Sequence, residues 1–379
     1  MRLRHPDGSV LHLAYCSNVH PADDLDGVAG QLERYAARVR ERLGVPVLGV
    51  GLWVAAPALA DGAGAADRLR AQLDRLGLEV VTLNGFPYTA FHADVVKLDV
   101  YRPNWADDAR RDYTLGLARL LASLLPDDVV EGSISTLPLG WRSEWDADDE
   151  AAGQRALEQV AFGLGEIEET TGKRIRLALE PEPGCTIETV AQASEFLAGL
   201  APEWIGLCLD ACHLAVQLEP ADGALAALAD AGVPVVKAQV SSALRVPEPG
   251  GAAARAFLDD FAEPRFLHQV RECVGGAVSG VDDLPEALGG GLPASSEWRV
   301  HFHVPVHAAE HTTQDELDAT LAALAGGPRP VTRHLEVETY TWGVLPDGPG
   351  GDDGLVEGLA AELAWTRDRL VALGAEEIR

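Results

Sequence analysis

Between Leu11 and Ser241 the sequence alternates short apolar runs with longer stretches of helical periodicity, which confines the chain to a parallel α/β architecture. The runs are Leu11–Tyr15, Val47–Val54, Glu79–Leu83, Asp128–Ile134, Arg176–Glu180, Ile205–Asp210 and Pro234–Ser241. Most are apolar at successive positions, as strands covered by helices on both faces must be. The connections are long enough for right-handed crossovers. Seven such units by residue 241 predict a (β/α)8 TIM barrel rather than an open sheet. Two later runs compete to close it, Arg299–Val306 and Arg333–Tyr340. A helix expected over Leu355–Leu373 would pack on the second, so Arg333–Tyr340 is taken as strand eight. Residues Leu244–Trp298, rich in Gly, Pro and Ala, read as an insertion within one domain spanning 1–379. One helix at Ala252–Phe261 and a hairpin near Phe266–Val270 are expected in it. It follows strand seven on the ligand-binding side and is expected to lie over the mouth as a lid.

The apolar runs deliver acids to their carboxyl ends. Arg176–Leu179 leads into Glu180-Pro181-Glu182-Pro183, where proline ends the ladder and turns the chain out of the sheet. Ile205–Leu209 likewise delivers Asp210, with His213 three residues on. In barrels that rim is where ligands bind. Strand side chains alternate, so Asp210 shares a face with Cys208, and His334, Glu336 and Glu338 share another. Glu180, Asp210 and one or both of Glu336 and Glu338 then converge. Several carboxylates in one low-dielectric mouth need a cation or protons to offset their repulsion, and a divalent metal (Mn, Mg, Co or Zn) answers that need.

Other side chains surround this cluster. His213 is a ligand or a contact to a substrate hydroxyl. His301 and His303 share a face and form either a ligand pair or neighbours of the site, with a core role equally open. Candidate substrate contacts are Glu182, Trp53, Asn84, Tyr88, Lys237, His268, His301 and Glu336, besides His213. Aromatic residues at strand ends can wall a sugar ring, although core packing is their ordinary role. The long loop Thr89–Asn104, which holds Lys97 and Tyr101, is of a length that tends to be functional.

Composition narrows the partners. There are 59 acidic against 30 basic residues, a net charge of -29, which repels nucleic acid and anionic lipid. Five scattered cysteines with no CxxC pair indicate neither a disulfide framework nor a zinc ribbon, and fit a reducing cytoplasm. No run approaches a membrane span, so neither membrane insertion nor export is expected. GxGxxG, Walker and GxSxG signatures are absent from the sequence.

At LALEPEP, LDACH and LEVETYTW the chain resembles the xylose isomerase-like TIM-barrel superfamily, which includes ketose 3-epimerases and endonuclease IV. The resemblance implies metal or substrate binding by Glu180, Asp210, His213 and Glu338. It also implies a histidine in strand seven, where this chain carries Gln239; either the glutamine oxygen replaces it or His303 does. Over nearly its whole length, through YCSNVHPA, TLNGFPY, FHADVVKLDVYRPNW, ALEPEPG, LDACHLAV, VSSAL, FLHQV, HFHVPV and HLEVETYTWGVLP, the chain resembles the metabolite traffic protein EboE family. That family's gene clusters imply a cyclitol-like or other polyhydroxylated metabolite, with proteins of the same cluster as partners.

The leading expectation is a metal-dependent isomerase or epimerase. Glu180 and Glu338 would move a proton alpha to a carbonyl, and the metal would stabilise the enediolate. A non-catalytic metabolite-binding or traffic protein is the alternative. An endonuclease IV-like nuclease is disfavoured by the charge.

Overall fold

A computed structural model describes residues 1–22, 24–61 and 63–378. Eight parallel strands run through it: β1 (Val10–Cys16), β2 (Leu48–Trp53), β3 (Thr82–Asn84), β4 (Glu131–Thr136), β5 (Arg174–Leu179), β6 (Ile205–Asp210), β7 (Val235–Val240) and, last in the chain, β12 (His334–Val337). Each pairs with the next, and β12 bonds both β7 and β1, so the sheet closes on itself. In the closing register Glu336 stands opposite Gln239 on β7 and Ala14 on β1. Arg333–Tyr340 thus supplies strand eight, as expected from the helix that follows it. The expected third run, Glu79–Leu83, is interrupted at Val80–Val81: Leu78–Glu79 pairs separately with the start of β2.

Helices cover the outside of the barrel. The longest, Ala147–Thr171, opens on an Asp146/Asp149 capping box and stops at Gly172, whose left-handed backbone (φ 71°) suits glycine. Leu157, Val160, Leu164 and Ile167 form its buried stripe.

Ser241 alone separates β7 from β8 (Ser242–Val246), the start of a second sheet at the carboxyl end of the barrel. Its other strands are β9 (Val270–Val274), β10 (Ala277–Val281) and β11 (Trp298–Val304), in the antiparallel order β8-β11-β9-β10. The hairpin therefore lies after Val270 rather than at Phe266–Val270. Its turn is Gly275-Gly276, both at positive φ, the Gly-Gly pair that a two-residue hairpin turn requires. The competing run Arg299–Val306 does form a strand, but as β11 of this sheet.

Strand alternation divides the labour of β11. Trp298, Val300, Phe302 and Val304 enter a separate apolar core with Leu258, Phe261 and Leu284. The intervening residues turn toward the barrel: Arg299 pairs with Glu316, and His301 and His303 meet residues at the strand ends. Residues 242–304 thus form a layer with its own core and one polar face pressed on the mouth. Among the described residues no helix is long and apolar enough to cross a membrane.

Candidate functional site

Three acids meet at the carboxyl ends of the strands. Glu180 follows β5 directly, where Pro181 stops the ladder from continuing. Asp210 ends β6 and caps the helix Ala211–Val216, its Oδ1 accepting from the His213 N–H (2.8 Å) and the Ser241 hydroxyl (2.8 Å). Glu338 follows β12, and its Oε1 accepts from the side-chain amides of Asn18 (2.7 Å) and Asn84 (2.8 Å). All three are buried, with ligand oxygens within 4.8 Å of one another. Burial pushes the Glu180 carboxyl well up, and repulsion from Glu338 and Asp210 adds to it. Glu338 is likewise raised, by burial and then by Asp210 and Glu336.

The donor set suits a divalent cation. Glu180 Oε2 and Asp210 Oδ2 are buried without a hydrogen-bond partner among the described residues, a costly state for an ionised oxygen. Both amide atoms of Gln239, opposite Asp210 across the β6–β7 ladder, are equally unpartnered there. His303 directs Nδ1 at the backbone carbonyl of Glu338 (2.8 Å). A carbonyl only accepts, so the proton lies on Nδ1 and Nε2 is a bare lone pair, again without a partner among the described residues. Burial lowers His303 to about 4, which keeps the ring neutral. Asp210, His213 and His303 also present ligand atoms within 4.8 Å of one another.

A cavity opens beside this cluster. Its wall includes Glu180, Glu182, His213, His301, His303 and Glu338, with Phe86, Phe91, Phe266 and Tyr340 as apolar faces. Asn84 also lines it, but its amide is committed: the nitrogen to Glu338, the oxygen to the Phe86 N–H (3.0 Å). It orients the carboxylate.

Several expected substrate contacts lie elsewhere. Lys237 and Glu336 are wholly buried and ion-paired within the barrel lumen, where Lys237 also reaches Leu83 O (3.3 Å) and Ser135 Oγ (3.2 Å). Burial lowers the Lys237 ammonium, but Glu336, with the Cys208 and Cys16 thiols, raises it to a net upward shift. Trp53 is buried against Phe91 and Val96, its Nε1 donating to Pro87 O (2.9 Å). Tyr88 packs edge-on to Tyr113 under the Arg110 guanidinium. His268 is locked between His301 O (2.9 Å) and Glu263 Oε1 (2.8 Å).

Sequence reasoning passed over Asn18, Ser241 and Gln269. Asn18 and Ser241 orient Glu338 and Asp210, and lie in the residues just after β1 and β7, where a barrel's rim is always built. Gln269 directly precedes β9 of the second sheet, and no periodicity in its surroundings predicted its approach.

Fold and site together define a TIM barrel whose candidate centre is an acid-lined mouth covered by a second sheet. The chain belongs to the xylose isomerase-like TIM barrel family, matched over residues 41–260, more than half its length. No match emerges among curated protein sequences. Among solved structures it is similar to D-psicose 3-epimerase from Clostridium cellulolyticum H10, solved with D-tagatose. The identity is 15%, the TM-score 0.52, and the likeness covers 95% of this chain and 99% of that one. It is similar too to a xylose isomerase-like TIM barrel protein from Mycobacterium smegmatis in complex with magnesium. There the identity is 14% and the TM-score 0.51, over 95% and 98% of the two chains. At such identities the likeness shows the shared fold.

Proposed function

We propose that this protein is a divalent-metal-dependent isomerase or epimerase of a sugar-like or cyclitol-like polyhydroxylated metabolite. One observation carries the reading: three buried acids, Glu180, Asp210 and Glu338, converge on one point with oxygens of Glu180 and Asp210 left unpartnered among the described residues. These three would hold the cation, with Gln239 Oε1 or His303 Nε2 as a further donor. When bound, such a cation polarises a carbonyl and offsets negative charge developing beside it. The magnesium in the Mycobacterium smegmatis protein and the D-tagatose in the epimerase support that class of ligand. The EboE-like motifs favour a cyclitol-like member of it.

The chain's own residues supply the proton chemistry. Glu338, held by Asn18 and Asn84, takes a proton from the carbon alpha to the substrate carbonyl. Glu180 would return a proton to the carbon that completes isomerisation or epimerisation. Phe86, Phe91, Phe266 and Tyr340 exclude water and pack on the ring.

The test is deuterium uptake. In D2O with Mn²⁺, the proton alpha to the carbonyl of a ketohexose or a cyclitol ketone should exchange. Glu180→Gln and Glu338→Gln should each slow exchange by about 10²–10⁴-fold. Tight binding of the polyol without exchange would instead leave a carrier, the traffic role.

A further inference from the structure

Of the side-chain donors in the cavity wall, Tyr340 alone has no acceptor among the described residues. Asn18 and Asn84 commit their amide nitrogens to Glu338 (2.7 and 2.8 Å). Lys97 Nζ is held by Asp283 (2.6 Å), and Tyr101 donates its hydroxyl to Glu182 Oε1 (2.7 Å). His303 Nδ1 faces the Glu338 carbonyl (2.8 Å), His213 Nδ1 the Pro181 carbonyl (2.9 Å) and His301 Nδ1 the Gln269 amide oxygen (2.6 Å). Tyr340 lines the same cavity, half-buried, and among the described residues it makes its side-chain contacts through the ring. A phenol set in an apolar wall ordinarily finds a partner for its O–H. Here that partner has to come from outside the chain.

The phenol is also held in place. Tyr340 opens the turn Tyr340–Val344, two residues after Glu338. Around it, Thr339 Oγ1 and Trp342 Nε1 both donate to the buried Glu362 (2.5 and 2.9 Å), and Thr341 donates its hydroxyl to the His303 carbonyl. The ring centroid lies 4.7 Å from that of His303, 4.9 Å from Phe266 and 5.4 Å from Phe91. Phe91 belongs to the loop after β3, and Phe266 and His303 to the covering layer, so all three parts of the mouth fix the phenol. A donor fixed in this way loses little freedom when a ligand takes its hydrogen bond.

The rest of the wall is short of free donors. The carboxylates and the unpartnered His303 Nε2 accept, which suits the hydroxyl protons of a polyol. A ketone oxygen only accepts. The Tyr340 O–H is the side-chain donor that the wall leaves free for such an oxygen, and a tyrosine hydroxyl remains a donor throughout the neutral range.

We infer that Tyr340 is a substrate-binding residue that donates its hydroxyl to an acceptor oxygen of a polyhydroxylated ketone bound at the acid-lined centre. It rests on the isomerase reading only for the class of ligand.

Tyr340→Phe is the test, because it keeps the ring and its packing and removes the hydroxyl alone. Mn²⁺-loaded protein is titrated calorimetrically with D-tagatose and with 2-keto-myo-inositol. The variant should bind the ketone that the wild type binds about five- to tenfold more weakly, the worth of one neutral hydrogen bond. Melting temperature and Mn²⁺ occupancy should match the wild type. In the D2O exchange assay KM should rise by the same factor, with kcat unchanged to within about twofold. Wild-type affinity in Tyr340→Phe would overturn the inference and leave the isomerase reading standing. A melting temperature that falls along with the affinity would overturn it too, by making the hydroxyl structural. If neither ketone binds the wild type, the isomerase reading fails and the inference falls with it.

Discussion

At the scale of single residues, Gly51 shows how depth in the barrel separates structure from chemistry. A Cβ there would lie 1.6 Å from Glu336 Oε1, so only glycine admits the buried Lys237–Glu336 pair. Lys237→Met alone should cost about 3–5 kcal/mol, because it strands a buried carboxylate, and Lys237→Met with Glu336→Met should recover most of that loss. Chemical denaturation measures both. Alternation put Lys237 and Glu336 on the lumen face with Gln239 and Glu338, and that much was legible. It does not give depth: two residues along a strand is about 6.6 Å, enough to drop a side chain from the mouth into the core. The last helix, Asp352–Ala372, carries a second informative acid. Glu362 is fully buried and accepts from Val306 N–H (3.1 Å), Thr339 Oγ1 (2.5 Å) and Trp342 Nε1 (2.9 Å), and burial raises it to about 7. A folded value above the unfolded one means stability present at low pH and lost as pH rises through about 7, roughly 3 kcal/mol in all. Thermal melts of Glu362→Gln against wild type should therefore show a larger deficit at pH 5 than at pH 8. An equal deficit at both would refute the buried, raised carboxyl.

At the scale of elements, β11 decides what the covering sheet can do. Phe302→Ala should cost about 3–5 kcal/mol by opening a cavity in that sheet's own core, while the barrel strands keep their pairing. Amide exchange should then rise in 242–304 ahead of β1–β7. The covering sheet is also held by Lys97, whose Nζ meets Asp283 at 2.6 Å, and by Arg265 O, which accepts from the Val96 (2.8 Å) and Lys97 (2.9 Å) N–H groups. The long loop from Thr89 to Asn104 is therefore a strap between barrel and cover. We propose that this cover moves to admit ligand. Limited proteolysis within 244–298 should slow when a polyol and Mn²⁺ are present, and equal cleavage in both states would count against a lid. The second sheet was hard to read because its strands are short and its segment is rich in Gly and Pro. Even so, two signals were present: Gly275-Gly276 between β-forming runs, and the Trp-x-Val-x-Phe alternation that sets His301 and His303 on the other face.

At the scale of the whole molecule, a closed barrel gathers residues far apart in sequence, Asn18, Glu180, Asp210 and Glu338, onto one rim. The strand-end acids were legible because proline and apolar runs mark where each strand stops. Their partners were not, because loops that follow strands carry no period. The pH behaviour of the centre also changes once burial is known. If His303 is the further donor, an ordinary histidine there would release a metal near pH 6.5, whereas a ring lowered to about 4 should stay a ligand until that pH. Metal retention between pH 4 and 7 in the wild type against His303→Gln reports it apart from protonation of the raised Glu180 and Glu338 carboxyls. The three buried acids demand a cation before any other property of the mouth follows. Equilibrium dialysis against Mn²⁺, which prefers carboxylate oxygens to imidazole pairs, should find about one tightly held ion per chain, lost in Glu180→Ala and in Asp210→Asn. Unchanged Mn²⁺ occupancy in both variants would contradict it.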